Sequence, residues 1–333
     1  MKGSVFNFFT IDIITNFNSL LKFRLPGFRF VAMKQIHPKH RAALPKFRAL
    51  TSLNQFCYGR LLEVFDRHVI SYLSQYTLKG KQRLIPSFKE PKNSSLYGSI
   101  SKLDFMLLYL KENPTQSYHG CLFELSQSKV SEWFSLLLPL LAATLEELKL
   151  MAASGEVFGF RASEDADYLV GDVVERLTPR LACKKAQKEA YSGKKKLHTN
   201  KNFAISRPDG YVLFLSETYQ GSVHDKSIWN ELEINIEAHS LLLDSGFEGA
   251  DKQCPTVITP FKKPKGKELS ESKKNVNTGI SKKRAIIENV FEMIKRLRMI
   301  RDKIRIKGFD KRHLVMRIAT GIHNLRIRYK TAI

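Results

Sequence analysis

Residues 281–301 admit one regular secondary structure. At about 100° per residue, Ile287, Val290, Ile294 and Leu297 gather on one side of a helix, while Arg284, Glu288 and Lys295 fall within about 40° of one another on another face. A packed helix therefore carries a single acid in a basic stripe. Taken alone, this describes an amphipathic surface helix whose acid pairs with Arg284 one turn away. Whether Glu288 does more depends on what the rest of the chain can place against it.

The charge balance narrows the partners. Lys and Arg number 55 against 32 Asp and Glu, a formal charge of +23 over 333 residues, which implies a polyanionic partner, double-stranded DNA first among them. A membrane surface is the rival, but no uninterrupted apolar run of about 18 residues is present to span a bilayer. Cys57, Cys121, Cys183 and Cys254 have no paired spacing, so neither a disulfide framework nor a zinc site is indicated and a reducing cytoplasm is expected.

Along the chain, residues 1–32 are rich in Phe, Ile and Leu, yet Asp12 interrupts them and only Lys2 stands as a basic leader. The composition changes at Met33, so residues 1–32 are expected to be a non-native or disordered extension. Helical spacing begins over 52–76, and 79–98 reads as a loop without chemistry. A compact helical set follows. Ser101 with Asp104 is a capping-box-like start to a helix through about 111, a short helix covers 119–125, and after Ser126 a third helix runs on to 149 through Pro139. This is the layout of a helix-turn-helix near 101–150 within a helical region spanning 45–150. Its second helix offers Gln127, Ser128 and Lys129 to a DNA groove, although short helix pairs of this kind also occur as plain core.

Beyond Gly155 the period becomes extended. Residues 168–174 read as a buried strand interrupted by Asp172, a basic insert carries Lys194, Lys195 and Lys196, and 198–206 with 210–216 form a hairpin across a tight turn. Asp225 starts a helix to about 236. Three leucines then lead to Asp244-Ser245-Gly246, and 257–259 form a further short strand. Residues 262–283 read as a lysine-rich, partly mobile connection, and a last helix covers about 311–328.

Strand, hairpin, helix, strand and terminal helix, with acids on the first strand, after the later strand and on a late helix, is the order of a ribonuclease-H-like α/β sheet over 160–333. Functional groups in open sheets collect at strand ends. Asp172, Asp244 and Glu288 can converge there, and three crowded acids make sense mainly as a metal site for phosphoryl transfer. Each acid also has a structural reading: an edge residue, a turn former, or an ion-pair partner of Arg284.

The segments Asp172-Val-Val-Glu175-Arg176, Tyr191-Ser-Gly-Lys-Lys-Lys196, Gly221-Ser-Val-His-Asp225, Asp244-Ser-Gly-Phe-Glu-Gly249 and Lys263-Pro-Lys-Gly266, with Arg284, Glu288 and Lys295, resemble those of bacterial insertion-sequence transposases of the Asp-Asp-Glu superfamily. Within it the IS-five family, related to the Harbinger transposases, is the most similar. The resemblance runs from about residue 45 to the C-terminus. It implies that Asp172, Asp244 and Glu288 are the catalytic, metal-binding triad for Mg²⁺ or Mn²⁺, two ions in all, and that Arg284 and Lys295 contact the DNA end. Asp225 is the rival second ligand; Asp244 is preferred because it directly follows an apolar strand, whereas Asp225 caps a helix. The chain departs from the family pattern at Ser281, where a tyrosine is frequent, and at Val173-Val174, where a small residue and Thr are common.

The implied activity is metal-dependent DNA cleavage and strand transfer at terminal inverted repeats, by a dimer acting on the nucleoid. The alternative is a catalytically inactive, transposase-derived DNA-binding regulator.

Overall fold

The computed structural model describes residues 47–87, 89–160, 166–237, 239–266 and 268–330. The expected extension at 1–32 lies outside them.

Among the described residues the first elements are five helices: α1 (Phe47–Thr51), α2 (Gln55–Gln75), α3 (Gly98–Glu112), α4 (Gln116–Phe123) and α5 (Gln127–Glu147). Polar side chains start three of them. Asn54 accepts from the Cys57 N–H, Thr115 from Tyr118 and Ser126 from Lys129, each satisfying an otherwise orphan amide. Asn113 and Glu124 end α3 and α4 in the left-handed conformation. The α4–α5 turn is tight enough that a Cβ on Gly120 would lie 2.3 Å from the Leu125 carbonyl oxygen. Pro139 sits inside α5 without ending it. The expected capping box at Ser101 is corrected: α3 starts three residues earlier, and Asp104 is buried, accepting from the Tyr58 hydroxyl at 2.8 Å.

The second half is β1 (Val157–Phe160), β2 (Tyr168–Leu177), α6 (Lys184–Ala190), β3 (Tyr191–Ser192), β4 (Leu197–Ser206), β5 (Val212–Leu215), β6 (Tyr219–Gln220), α7 (Asp225–Glu231), β7 (Glu233–Ile236), β8 (Ser240–Leu242), β9 (Val257–Ile258), α8 (Glu271–Ile294), α9 (Arg298–Arg301) and α10 (Phe309–Arg328). β2 is central. It pairs antiparallel with β4 and parallel with β8, which pairs parallel with β9, while β5 extends the sheet antiparallel beyond β4. The order β5-β4-β2-β8-β9 is that of a ribonuclease-H-like sheet, as expected.

Alternation along β2 divides the core. Val170 and Val174 join a cluster with Ile287, Val290 and Ile294 of α8, Ile318 and Ile322 of α10, and the helices of the first half. Leu169 faces the opposite side, with Phe203, Ile205, Leu241, Leu243 and Trp229. The helical region and one face of the sheet thus share one core.

Two further elements depart from expectation. The helix carrying Glu288 begins at Glu271 and ends at Ile294, so half of the supposed connection is helical. Ser270 caps it, and Asn277 clamps the Phe261 backbone with two hydrogen bonds of 2.8 and 2.9 Å. The helix from Asp225 stops at Glu231, because 233–236 pair in parallel with β1 instead.

Candidate functional site

The register of the central strands sets the site. Val170 pairs with Leu242, so two residues further along each strand Asp172 and Asp244 come to equivalent positions at the end of β8. Asp172 shares a sheet face with Val170 and Val174, the face over which α8 packs, and α8 brings Arg284 and Glu288 across it. These four side chains and Asp225, the first residue of α7, line one cleft of about 410 Å³, with Lys194 and His224 on its wall. The sequence-derived triad and its rival therefore meet in one place.

Arg284 organises the charges. Its Nη2 donates to Asp172 Oδ2 and its Nη1 to Asp244 Oδ1, both at 3.2 Å, while its buried Nε has no partner among the described residues. Asp172 Oδ1 also accepts from the Val173 N–H at 2.7 Å. Burial pushes the Asp172 pKa up; the Val173 amide and Arg284 oppose the rise, and Asp244 and Asp225 add to it. Asp244 is half exposed and opens a 3₁₀ turn, its carbonyl accepting from Phe247 at 3.0 Å. Glu288 is exposed and, among the described residues, makes no ion pair.

Asp225 differs from the other acids. Lys201, 7 % exposed on β4, donates to Asp225 Oδ1 at 2.9 Å and to the Val223 carbonyl at 2.8 Å. The carboxylate is thus the counter-ion of a nearly buried ammonium. Lys201 carried no signal of this in the sequence, where it stands between Asn200 and Asn202 in the polar first half of β4.

The donors are hard carboxylate oxygens, which suit Mg²⁺ or Mn²⁺. Asp172 and Asp244 already converge on one cationic group, the Arg284 guanidinium, so the set fits a divalent cation in chemistry and charge. Among the described residues no three such groups are drawn together closely enough to enclose an ion. Arg284 would have to yield its place between the two aspartates.

Other predicted residues lie elsewhere. Lys295 ends α8, pairs with Glu292 at 2.9 Å and lines a separate cleft with Arg296 and Arg301. Lys195 and Lys196 belong to the β3–β4 turn held by Ser192, and only Lys194 of that trio lines the acid cleft. Gln127 and Ser128 start α5 and line another cleft; the Gln127 amide bonds Gln116, and Lys129 pairs with Glu132.

Comparison with known proteins gives these clefts a context. Residues 175–324 match the family model described as DDE superfamily endonuclease, a span that includes Asp244 and Glu288 and begins three residues after Asp172. Residues 99–147 match the model described as helix-turn-helix of DDE superfamily endonuclease, in agreement with α3 to α5. A curated protein of Microchaete diplosiphon, the probable transposase for insertion sequence element IS702, is 29 % identical over 168 residues, covering 49 % of this chain and 58 % of that protein. The chain thus spans less than two thirds of that relative's length. No solved structure matches. No helix among the described residues is long and apolar enough to cross a membrane.

Proposed function

We propose, for a chain whose residues 175–324 are a DDE superfamily endonuclease region and whose residues 99–147 are that superfamily's helix-turn-helix, that it is a transposase: it binds the terminal inverted repeats of its element and cuts and joins DNA at the acid cleft. One observation carries the reading. Asp172 from the middle of β2, Asp244 from just after the neighbouring β8 and Glu288 from the helix packed over them line one cleft, with a cation already held between the first two.

In this reading the three acids are the metal ligands. Burial makes an uncompensated charge on Asp172 costly, so that carboxylate calls for a cation beside it. Bound divalent cations, Mg²⁺ or Mn²⁺ and two in number, would supply Lewis-acid stabilisation of the attacking and leaving oxygens. Asp172 is held inside β2, and Asp244 follows the end of β8 by two residues, where it caps a 3₁₀ turn. Asp225 stays with Lys201 as a structural ion pair. Arg284, released from the aspartates, is placed to take a phosphate of the DNA end, and Lys194 supplies positive charge on the cleft wall. Lys195, Lys196 and Lys295 contribute to phosphate neutralisation outside the cleft.

The reaction is phosphodiester hydrolysis: water adds to phosphorus, the P–O3′ bond breaks and a 3′-hydroxyl is released. That hydroxyl then attacks a phosphodiester phosphorus of target DNA at the same site, losing its proton as the new P–O bond forms, while the target's P–O3′ bond breaks and its 3′-oxygen leaves as a hydroxyl; a dimer would bring two ends together. The test uses labelled duplexes carrying the ends of the DNA segment that encodes the chain, incubated with Mg²⁺ or with chelator, beside Asp172→Ala. Metal-dependent nicking by wild type alone supports the proposal. Binding without nicking favours the regulator that lacks catalysis.

A further inference from the structure

Residues 76–82 form a small hairpin beside the helix-turn-helix. Tyr76 and Gln82 bridge antiparallel, the Thr77 N–H donates to the Lys81 carbonyl at 2.8 Å, and the Gly80 N–H donates to the Thr77 carbonyl at 2.9 Å. Gly80 closes the turn at φ +77°, a conformation glycine adopts without steric cost. The hairpin is tied to the last turns of α2. Leu78 packs on the core, the Arg83 N–H donates to the Gln75 carbonyl at 2.7 Å, and Arg83 Nε donates to the Leu73 carbonyl at 2.9 Å.

The tip carries Lys79 and Lys81, both exposed. Many lysines of this chain are neutralised by acids: Lys129 by Glu132, Lys262 by Glu248, Lys274 by Glu271. Among the described residues, Lys79 and Lys81 make no ion pair. Across a cleft of about 600 Å³, Leu78, Lys79 and Gly80 face the polar side of α5, namely Gln127, Ser128, Ser131, Glu132 and Ser135. Lys79 is close enough to add to the Lys129 hydrogen bond in holding the Glu132 carboxyl below its usual range.

A basic hairpin thus flanks the polar start of the second helix of the helix-turn-helix, outside the matched residues 99–147. We propose that this hairpin is a second DNA contact, seating Lys79 and Lys81 on backbone phosphates beside the major groove that α5 enters. The inference rests on the reading that Gln127, Ser128 and Lys129 meet DNA. Its chemistry is that of phosphate rather than base recognition: an ammonium is a point charge without a directional fork, and backbone contacts fix the register of a reading helix. A strongly basic chain that sets two ammonium groups one residue apart at that spot, with no ion pair among the described residues, suits a polyanion and repels a basic partner.

The test measures binding of the full chain to a fluorescein-labelled duplex carrying one end of its encoding segment, across a salt series. Lys79→Gln/Lys81→Gln is compared with the charge-matched pair Lys149→Gln/Lys330→Gln, which lies beyond the other end of α5 and at the end of the described chain. The slope of log affinity against log salt is expected to shrink by about 2 in the hairpin variant, one unit per phosphate lost, and by less than half that in the control. An unchanged slope, or a drop equal to the control's, overturns the proposal. The underlying reading is judged by a separate number, the preference of Gln127→Ala/Ser128→Ala for the end duplex over a scrambled one. If that variant loses the preference while the hairpin variant keeps its slope, the hairpin alone is overturned.

Discussion

Asp172 lies two residues past the last β2–β8 pair on one strand and Asp244 two residues past it on the other side, just beyond β8, and one guanidinium, that of Arg284, bonds a carboxylate oxygen of each at 3.2 Å. The sheet fixes Asp172, the turn after β8 places Asp244, and a helix supplies their counter-charge. If these aspartates are metal ligands, Arg284 and the metal compete for them. Arg284→Gln should lower stability in chelator by about 1 kcal/mol, a small figure because Asp244 is half exposed. Mg²⁺ should then raise the melting temperature of the variant more than that of wild type. Equal metal responses in calorimetry would contradict the competition.

Asp225 and Asp244 should separate when replaced by asparagine. Asp225→Asn leaves the nearly buried Lys201 without its carboxylate, at a cost of about 2 kcal/mol and a few degrees of melting temperature. Asp244→Asn should keep the melting temperature within about 2 degrees and abolish nicking. Thermal melts and nicking assays on both variants check this, and nicking retained in Asp244→Asn would transfer the second ligand's role to Asp225.

Gly171 should tolerate no side chain. A Cβ there would lie 2.7 Å from Leu243 Cδ2 and 2.9 Å from the Phe203 ring, wedged between β2 and the residue before Asp244. Gly171→Ala is expected to cost about 1 to 3 kcal/mol by overpacking and to slow cleavage by disturbing the Asp172–Asp244 spacing. Urea unfolding together with nicking rates measures both; full activity would mean that this spacing is not critical.

Acid should destabilise the chain through two histidines. His119 of α4 donates through Nε2 to the Phe105 carbonyl at 3.1 Å, and His323 bonds the Gly210 carbonyl at 2.9 Å; burial pushes both pKa values down to about 4. The unfolded chain takes up these protons below about pH 6.5, whereas the folded chain resists them to about pH 4, so stability is full above 6.5 and is lost as pH falls through that window. Each ring should account for about 2 kcal/mol between pH 7 and pH 5. Urea unfolding of His119→Phe should show roughly half of the histidine-linked loss. An undiminished pH dependence would rule out His119 as a source.

Much of this was legible locally. The helix-turn-helix showed as three helical stretches with a break at Ser126, and the core strands as apolar runs carrying or followed by an acid. What escaped depends on distant partners. Residues 271–280 are too polar to show helical spacing, since Ser270 and the Asn277 clamp on Phe261, not an apolar stripe, hold that half of α8. β7 passed for helix because its partner β1 lies more than 70 residues earlier. Within the site, the position of each acid followed from strand and helix pattern. The pairings of Arg284 with two aspartates and of Lys201 with Asp225 did not, because they depend on how α8 and α7 seat against the sheet.

The central claim is that Glu288, exposed on α8 beside Asp172 and Asp244, completes a metal-dependent cleaving site. Glu288→Gln keeps its size and removes its charge, so the decisive measurement is the Mg²⁺-dependent nicking rate of a labelled element-end duplex by wild type and by this variant at equal DNA occupancy. The expected result is unchanged binding with a rate lower by roughly 100-fold or more, as loss of several kcal/mol of transition-state stabilisation requires. An unchanged rate would return Glu288 to an ordinary surface carboxylate and contradict the assignment of the cleft.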